Sequence, residues 1–171
     1  LWFSDIALVT TAVALWLESA LLASMMTLAV LLPELAWNIG FFLRLIFGIS
    51  AVGLSSYMFD PHIPLYVRAL SLFHVELPVI LVWMVHRLGY DRRALIAQTM
   101  LMLVVLPITY AATDPARNIN WVFGPGNKPQ HDVPPLLYLT LMLFAFPLAI
   151  YLPTHWILLR FCSGAARTKG A

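Results

Sequence analysis

An all-α, polytopic transmembrane helix bundle of about five spans is the fold class that the sequence predicts. Three observations carry that expectation. The 171 residues are 61% hydrophobic and only 11% charged, with a mean hydropathy of +0.86, whereas soluble domains run at roughly 45–50% apolar and about 25% charged. The apolar residues gather in five stretches of about 20, the length that crosses a hydrocarbon core about 30 Å thick. Short alternating strands of the barrel type are missing, and lipid then permits only helices, which satisfy their own backbone.

The spans follow in chain order. The first covers 6–32 and is expected to stop at Pro33-Glu34, with Glu18 near its middle. The second covers 39–58, with Arg44 one turn in. The connector between them is short, so the pair should be antiparallel. The third covers 65–88, after the stiff turn Phe-Asp-Pro-His-Ile-Pro at 59–64. The fourth covers 95–112 and the fifth 136–161, separated by the one long connector, 113–134. Asp91, in the charged turn 89–94, is placed to cap the fourth helix. A small, polar, flexible tail, 163–171, closes the single domain 1–162.

Charge gives an orientation and excludes one class of partner. Arg87, Arg92, Arg93, Arg160, Arg167 and Lys169 fall on one side, with Arg44 leaning toward it; Arg68, Arg117 and Lys128 fall on the other. The positive-inside rule puts the first side, with the C-terminus, in the cytoplasm, and the long loop 113–134 outside, in what is read as a bacterial inner membrane. No dense basic cluster marks a nucleic-acid surface. A lone cysteine, Cys162, allows no internal disulfide and no cysteine-cluster metal site. No basic region with a small-residue cleavage site opens the chain, and residue 1 is Leu, so further spans can precede it.

Within the third span, His74 and Glu76 stand just ahead of Pro78. Ionisable groups at membrane depth are costly and usually face a bundle interior or a wet cavity. Two residues apart on a helix they point to nearly opposite faces, so one helix does not let them clasp a single metal. Pro78 cannot donate to the His74 carbonyl, which leaves a free acceptor beside the imidazole. His74 is the candidate general base, proton relay or metal or haem ligand; the competing reading is a packing histidine bonded to a neighbouring helix. Glu18, about 18 Å along the first span at 1.5 Å per residue, is expected level with Glu76. His74, Glu76 and Glu18 are the catalytic candidates. Ser71, one turn before His74, is the only neighbouring hydroxyl of interest.

The long connector carries Asn118, Asn120 and Trp121 as ligand-binding candidates. Connectors beyond about 12–15 residues are functional or disordered, and Ile119, Trp121, Val122 and Phe123 argue for burial. A lid over His74 is expected, turned by Gly124-Pro125-Gly126. His131-Asp132 and Asp60-Pro61-His62 lie on the same side without diagnostic metal spacing. A second polar group, His86, Gln98 and His155, lies toward the arginine-rich side. No cofactor or metal is assigned.

Phe73-His74 followed by Pro78, and Asn120-Trp121 followed by a proline-rich stretch and Tyr138, resemble the YwaF-like family of bacterial multi-pass membrane proteins over roughly the second half of the chain. The resemblance implies lipid acyl chemistry and a His-Leu-Cys motif in an earlier span, which this chain lacks. Residue by residue it points to His74 and the Asn120 loop. Three functions are therefore expected, in order: a polar site on the outer-leaflet side that binds or acts on a lipid-like molecule; a non-catalytic structural or cofactor-binding subunit of a larger membrane complex; and an ion- or proton-coupled transporter component. Membrane lipids and other membrane subunits are the expected partners.

Overall fold

The computed structural model describes residues 2–50, 53–126 and 128–162, and these are helical with no strand among them. Seven α-helices follow in order: α1 (Phe3–Trp16), α2 (Ala20–Phe47), α3 (Leu65–Leu70), α4 (Phe73–Leu88), α5 (Ala94–Ala112), α6 (Pro135–Phe146) and α7 (Leu152–Cys162). A 3-10 segment, Gly53–Phe59, precedes α3, and a π-turn, Pro147–Tyr151, joins α6 to α7. Four helical stretches are long and apolar enough to cross a membrane: Ala20–Phe47, Leu65–Leu88, Ala94–Ala112 and Pro135–Cys162. The shorter apolar α1 lies beside them. The chain is thus an integral membrane protein built as a helical bundle of about five crossings.

Two expected boundaries are wrong for one reason. The first span does not run to Pro33. It breaks at 17–19, where Glu18 takes a left-handed backbone (φ 48°) and the Ser19 side chain accepts from Leu22 N–H as the N-cap of α2. A cap of this kind contributes about 1 kcal/mol and sets a start for a new helix. Pro33 then sits inside α2, whose 28 residues continue to Gly48, a left-handed C-cap. Proline is tolerated within a spanning helix because neighbours re-satisfy the backbone it frees. The second expected span, 39–58, therefore does not exist as a unit: its first half is the end of α2, and Gly53–Phe59 is the 3-10 segment folded back on α2.

The central helix is α2, which touches α1, α4, α5, the 3-10 segment and the last span. Fully buried Ala7, Ala14 and Ala23 let α1 and α2 approach closely, as small residues do between membrane helices. Beside them, Met26, Leu77 and Leu81 fill the seam between α1, α2 and α4. The long connector runs 113–134 as expected, with two short 3-10 turns. The tail 163–171, with Arg167 and Lys169, lies outside the described residues.

With α2 unbroken, Arg44 stands at the far end of the molecule from Arg87. Its guanidinium lies 4.7 Å from the Phe59 ring centre. The expectation that Arg44 leans toward the arginine-rich side is corrected accordingly. Asp91 is not the N-cap of α5, a position held by Arg93; its carboxylate instead accepts from the Arg93 backbone and guanidinium. That hydrogen bond holds the Asp91 carboxyl below the usual carboxylate range.

Candidate functional site

The densest polar constellation joins α2 to α4. Glu34 is 14 residues beyond Ala20, and His74 is 14 residues before Leu88. At 1.5 Å per residue each stands about 21 Å from the Arg87 end, so the two side chains meet at one level. His74 Nδ1 lies 2.6 Å from Glu34 Oε2, a contact that holds a hydrogen between them. The Glu34 residue is 3% exposed. The imidazole is stacked on Trp37, 4.8 Å between ring centres, and on Phe73, 4.1 Å. No described residue hydrogen-bonds Nε2, and the side chain keeps 14% of its surface open.

Proline builds the second half of the joint. Pro78 leaves the His74 carbonyl without its helical donor, and Asn38 Nδ2 fills the vacancy at 2.7 Å while also donating to the Glu34 carbonyl at 2.8 Å. Glu34, Trp37 and Asn38 lie at i, i+3 and i+4, on one face of α2. Around them, the Tyr57 hydroxyl approaches Ser71 and Trp37. The buried Trp37 indole N–H nevertheless reaches no acceptor at hydrogen-bonding geometry. Burial raises the Tyr57 hydroxyl above its ordinary value.

The structure distributes the sequence candidates differently. Glu18 is at the turn between α1 and α2, exposed, and paired with Arg87 at 3.1 Å. It is not level with Glu76, because the helix that was to carry it inward ends before it. Glu76 faces outward from α4, with no hydrogen bond or ion pair among the described residues. A charged side chain at mid-membrane costs roughly 2.5–3.5 kcal/mol on insertion scales. The start of α4 returns only about 0.3–1 kcal/mol through the helix dipole, so lipid contact alone does not explain Glu76. Ser71 donates to Val67 O at 2.9 Å rather than to His74.

The connector is built from within. Asn118 is fully buried; its Oδ1 accepts from Phe123 N–H, and its Nδ2 faces the carbonyls of Gly124, Gly126 and Lys128 at 2.8, 2.9 and 3.1 Å. Asn120 accepts from Phe3 N–H at 2.6 Å and donates to Thr109. Val122 and Phe123 pack into the α5–α6 core with Met102, Leu106 and Leu139. That burial draws the segment to α5 and α6, and the hydrophobic cluster bordering His74's ring partner Trp37 is made with the 3-10 segment, through Met58 and Tyr57. The expected lid over His74 is corrected on that ground. Trp121 is half-buried with φ 56°.

Of the second polar group, Tyr90 O–H meets His155 Nδ1 at 2.5 Å, Gln98 Nε2 donates to Tyr151 at 3.3 Å, and His86 stays exposed. No group of three His, Cys, Asp or Glu that could hold a metal ion occurs among the described residues. Sequence reasoning missed Glu34, Trp37 and Asn38. Their i, i+3, i+4 spacing was the available signal, hidden by taking Pro33 as a helix stop. Comparison with protein-family models, curated proteins and solved structures returns no match for this chain.

Proposed function

We propose that the Glu34–His74 pair forms an outer-side site that binds or acts on a lipid-like molecule entering from the membrane. One observation carries this reading: Glu34 occupies Nδ1 of His74, while Nε2 has no partner among the described residues and the ring retains open surface. A carboxylate on one ring nitrogen orients imidazole and stabilises its cationic form, leaving the other nitrogen to take a proton. Among the described residues no serine or cysteine is hydrogen-bonded to His74, so the group that loses the proton in this reading is a hydroxyl of the ligand or a water. Three arginines within residues 87–93 support a cytoplasmic placing of that end, with 113–134 outside and a bacterial inner membrane as the setting.

The test is purification into lipid nanodiscs, followed by mass spectrometry of retained lipids and of lipid turnover. His74→Ala should abolish retention or turnover of one lipid class. Glu34→Gln, which keeps a hydrogen bond but changes the proton pattern, should lower turnover by about 10²–10⁴-fold. Identical lipid profiles and rates in wild type and both variants, all folded by circular dichroism, overturn the reading.

A second reading, a non-catalytic subunit, is favoured by the stacking of His74 between Trp37 and Phe73 and by Asn38 stitching α2 to α4. In that case His74→Ala costs stability and changes no lipid.

A further inference from the structure

Two guanidinium groups meet the 3-10 segment at adjacent residues, and among the described residues neither has an anion. Arg44 lies over the Phe59 ring, a stacking that leaves its in-plane N–H donors free. Arg68 reaches Met58 through one long hydrogen bond, Nη1 to the carbonyl at 3.4 Å, while its Nε is buried without a partner. Neither forms an ion pair among the described residues. Asp60, the next residue along, turns its carboxylate to His62 N–H at 2.9 Å. A charged donor left unpaired away from water costs more than a neutral one. Trp37 gives an independent sign. Its residue is 5% exposed, yet the indole N–H has no acceptor. It stands beside the Tyr57 hydroxyl and packs on Met58, so this orphan donor borders the same segment as the two arginines.

We infer that Arg44, Arg68 and the Trp37 N–H, with the Tyr57 hydroxyl, bind the phosphoryl group of a phospholipid. Guanidinium and N–H donors around one point are what a phosphate's oxygens accept from, and charge-assisted bonds of this kind are the strong ones. Depth separates a lipid phosphate from a free one. Arg44 stands 24 residues beyond Ala20 on α2, about 36 Å along it, and Trp37 about 26 Å. The hydrocarbon core is about 30 Å thick, so Arg44 is at headgroup level and Trp37 just beneath it. Below Arg44 the exposed side chains Phe42, Ile39 and Leu35 continue down α2, an apolar path for acyl chains that a free phosphate does not need. Glu34 is one turn below Trp37 on the same face. The inference thus names the lipid-like molecule of the Glu34–His74 site and rests on that reading for any chemistry at His74, while the headgroup contacts stand on their own donors.

The experiment uses the full chain in detergent, with phosphatidylglycerol or the diacylglycerol of the same acyl chains added, and native mass spectrometry to count what is retained. Phosphatidylglycerol should be kept and diacylglycerol lost, and inorganic phosphate in large excess should not displace the lipid. Arg44→Gln and Arg68→Gln should each weaken retention by at least about tenfold, as should Trp37→Phe, which keeps a ring against His74 and removes only the N–H. Arg117→Gln, an exposed cation of the long connector, should change nothing. Equal retention of both lipids, displacement by inorganic phosphate, or equal losses in Arg117→Gln and Arg68→Gln overturns the inference. Retention that the arginine variants lose, in a wild type that turns over no lipid, leaves the headgroup site standing and removes the chemistry proposed for His74. Turnover that His74→Ala abolishes, with retention unchanged in the arginine variants, does the reverse. If an arginine variant does not fold, Trp37→Phe and the comparison of the two lipids on the unaltered chain decide.

Discussion

At the residue scale, the α2–α4 joint depends on a carbonyl that proline exposes. Pro78 withdraws its donor from His74 O, and Asn38 supplies another from a different helix. Interhelical hydrogen bonds in membranes are worth about 0.6 kcal/mol on average and up to about 1.7. Asn38→Leu removes one such bond, to His74 O, together with a bond to the Glu34 carbonyl of its own helix, and should destabilise the bundle by about 1–2 kcal/mol, measured by steric trapping or reversible detergent unfolding. The cause is checked by a double-mutant cycle. In a Pro78→Ala background the helix regains its own bond to His74 O, and Asn38→Leu should then cost about half as much. Equal costs in both backgrounds would separate Asn38 from the proline. This part of the site was legible in advance, since a proline inside an apolar span frees an identifiable acceptor. The partner was not, because nothing local in the sequence links position 38 to position 74.

At the element scale, the lesson concerns which residues end a helix. Pro33 reads as a stop, yet α2 passes through it, and the break falls at Leu17-Glu18-Ser19, which has neither glycine nor proline. A Ser N-cap is worth about 1 kcal/mol, enough to choose between helices that lipid holds in place anyway. That single misplacement moved Glu18 inward, moved Arg44 to the wrong end and hid Glu34, so most errors about the site are one error about a boundary. The spans from 65 onward were legible because glycine, charge and turn residues bound them on both sides. The connector gives the matching prediction. A Cβ on Gly124 would stand 2.4 Å from Gln130 N, whereas one on Gly126 meets nothing within 4 Å. Gly124→Ala should therefore cost about 1–3 kcal/mol through overpacking and open residues 113–134 to protease. Gly126→Ala meets only the left-handed backbone cost, roughly 1 kcal/mol, and should leave the cleavage pattern unchanged.

At the scale of the whole molecule, moving Arg44 alters the charge balance on which orientation rests. Among the described residues, Arg87, Arg92, Arg93 and Arg160 mark one end, and Arg44, Arg68, Arg117 and Lys128 the other, so a bare count is level. The rule, however, weighs cations in short connectors beside the spans, and three of the first four crowd the turn around 87–93. At the opposite end Arg44 is engaged by Phe59 and Arg68 by the Met58 carbonyl, each within a folded segment. Segment 113–134 is long and internally hydrogen-bonded, the kind of connector whose charges matter less. On that weighting we propose an orientation with 113–134 outside and Arg93 inside. In a Cys162→Ser background, a cysteine at exposed Lys128 should be labelled in intact cells by a membrane-impermeant maleimide. A cysteine at Arg93 should be labelled only after the cells are opened. The reverse pattern would place the Glu34–His74 level, about 21 Å from the Arg87 end, in the inner half of the bilayer and would sink the outer-leaflet reading of that site.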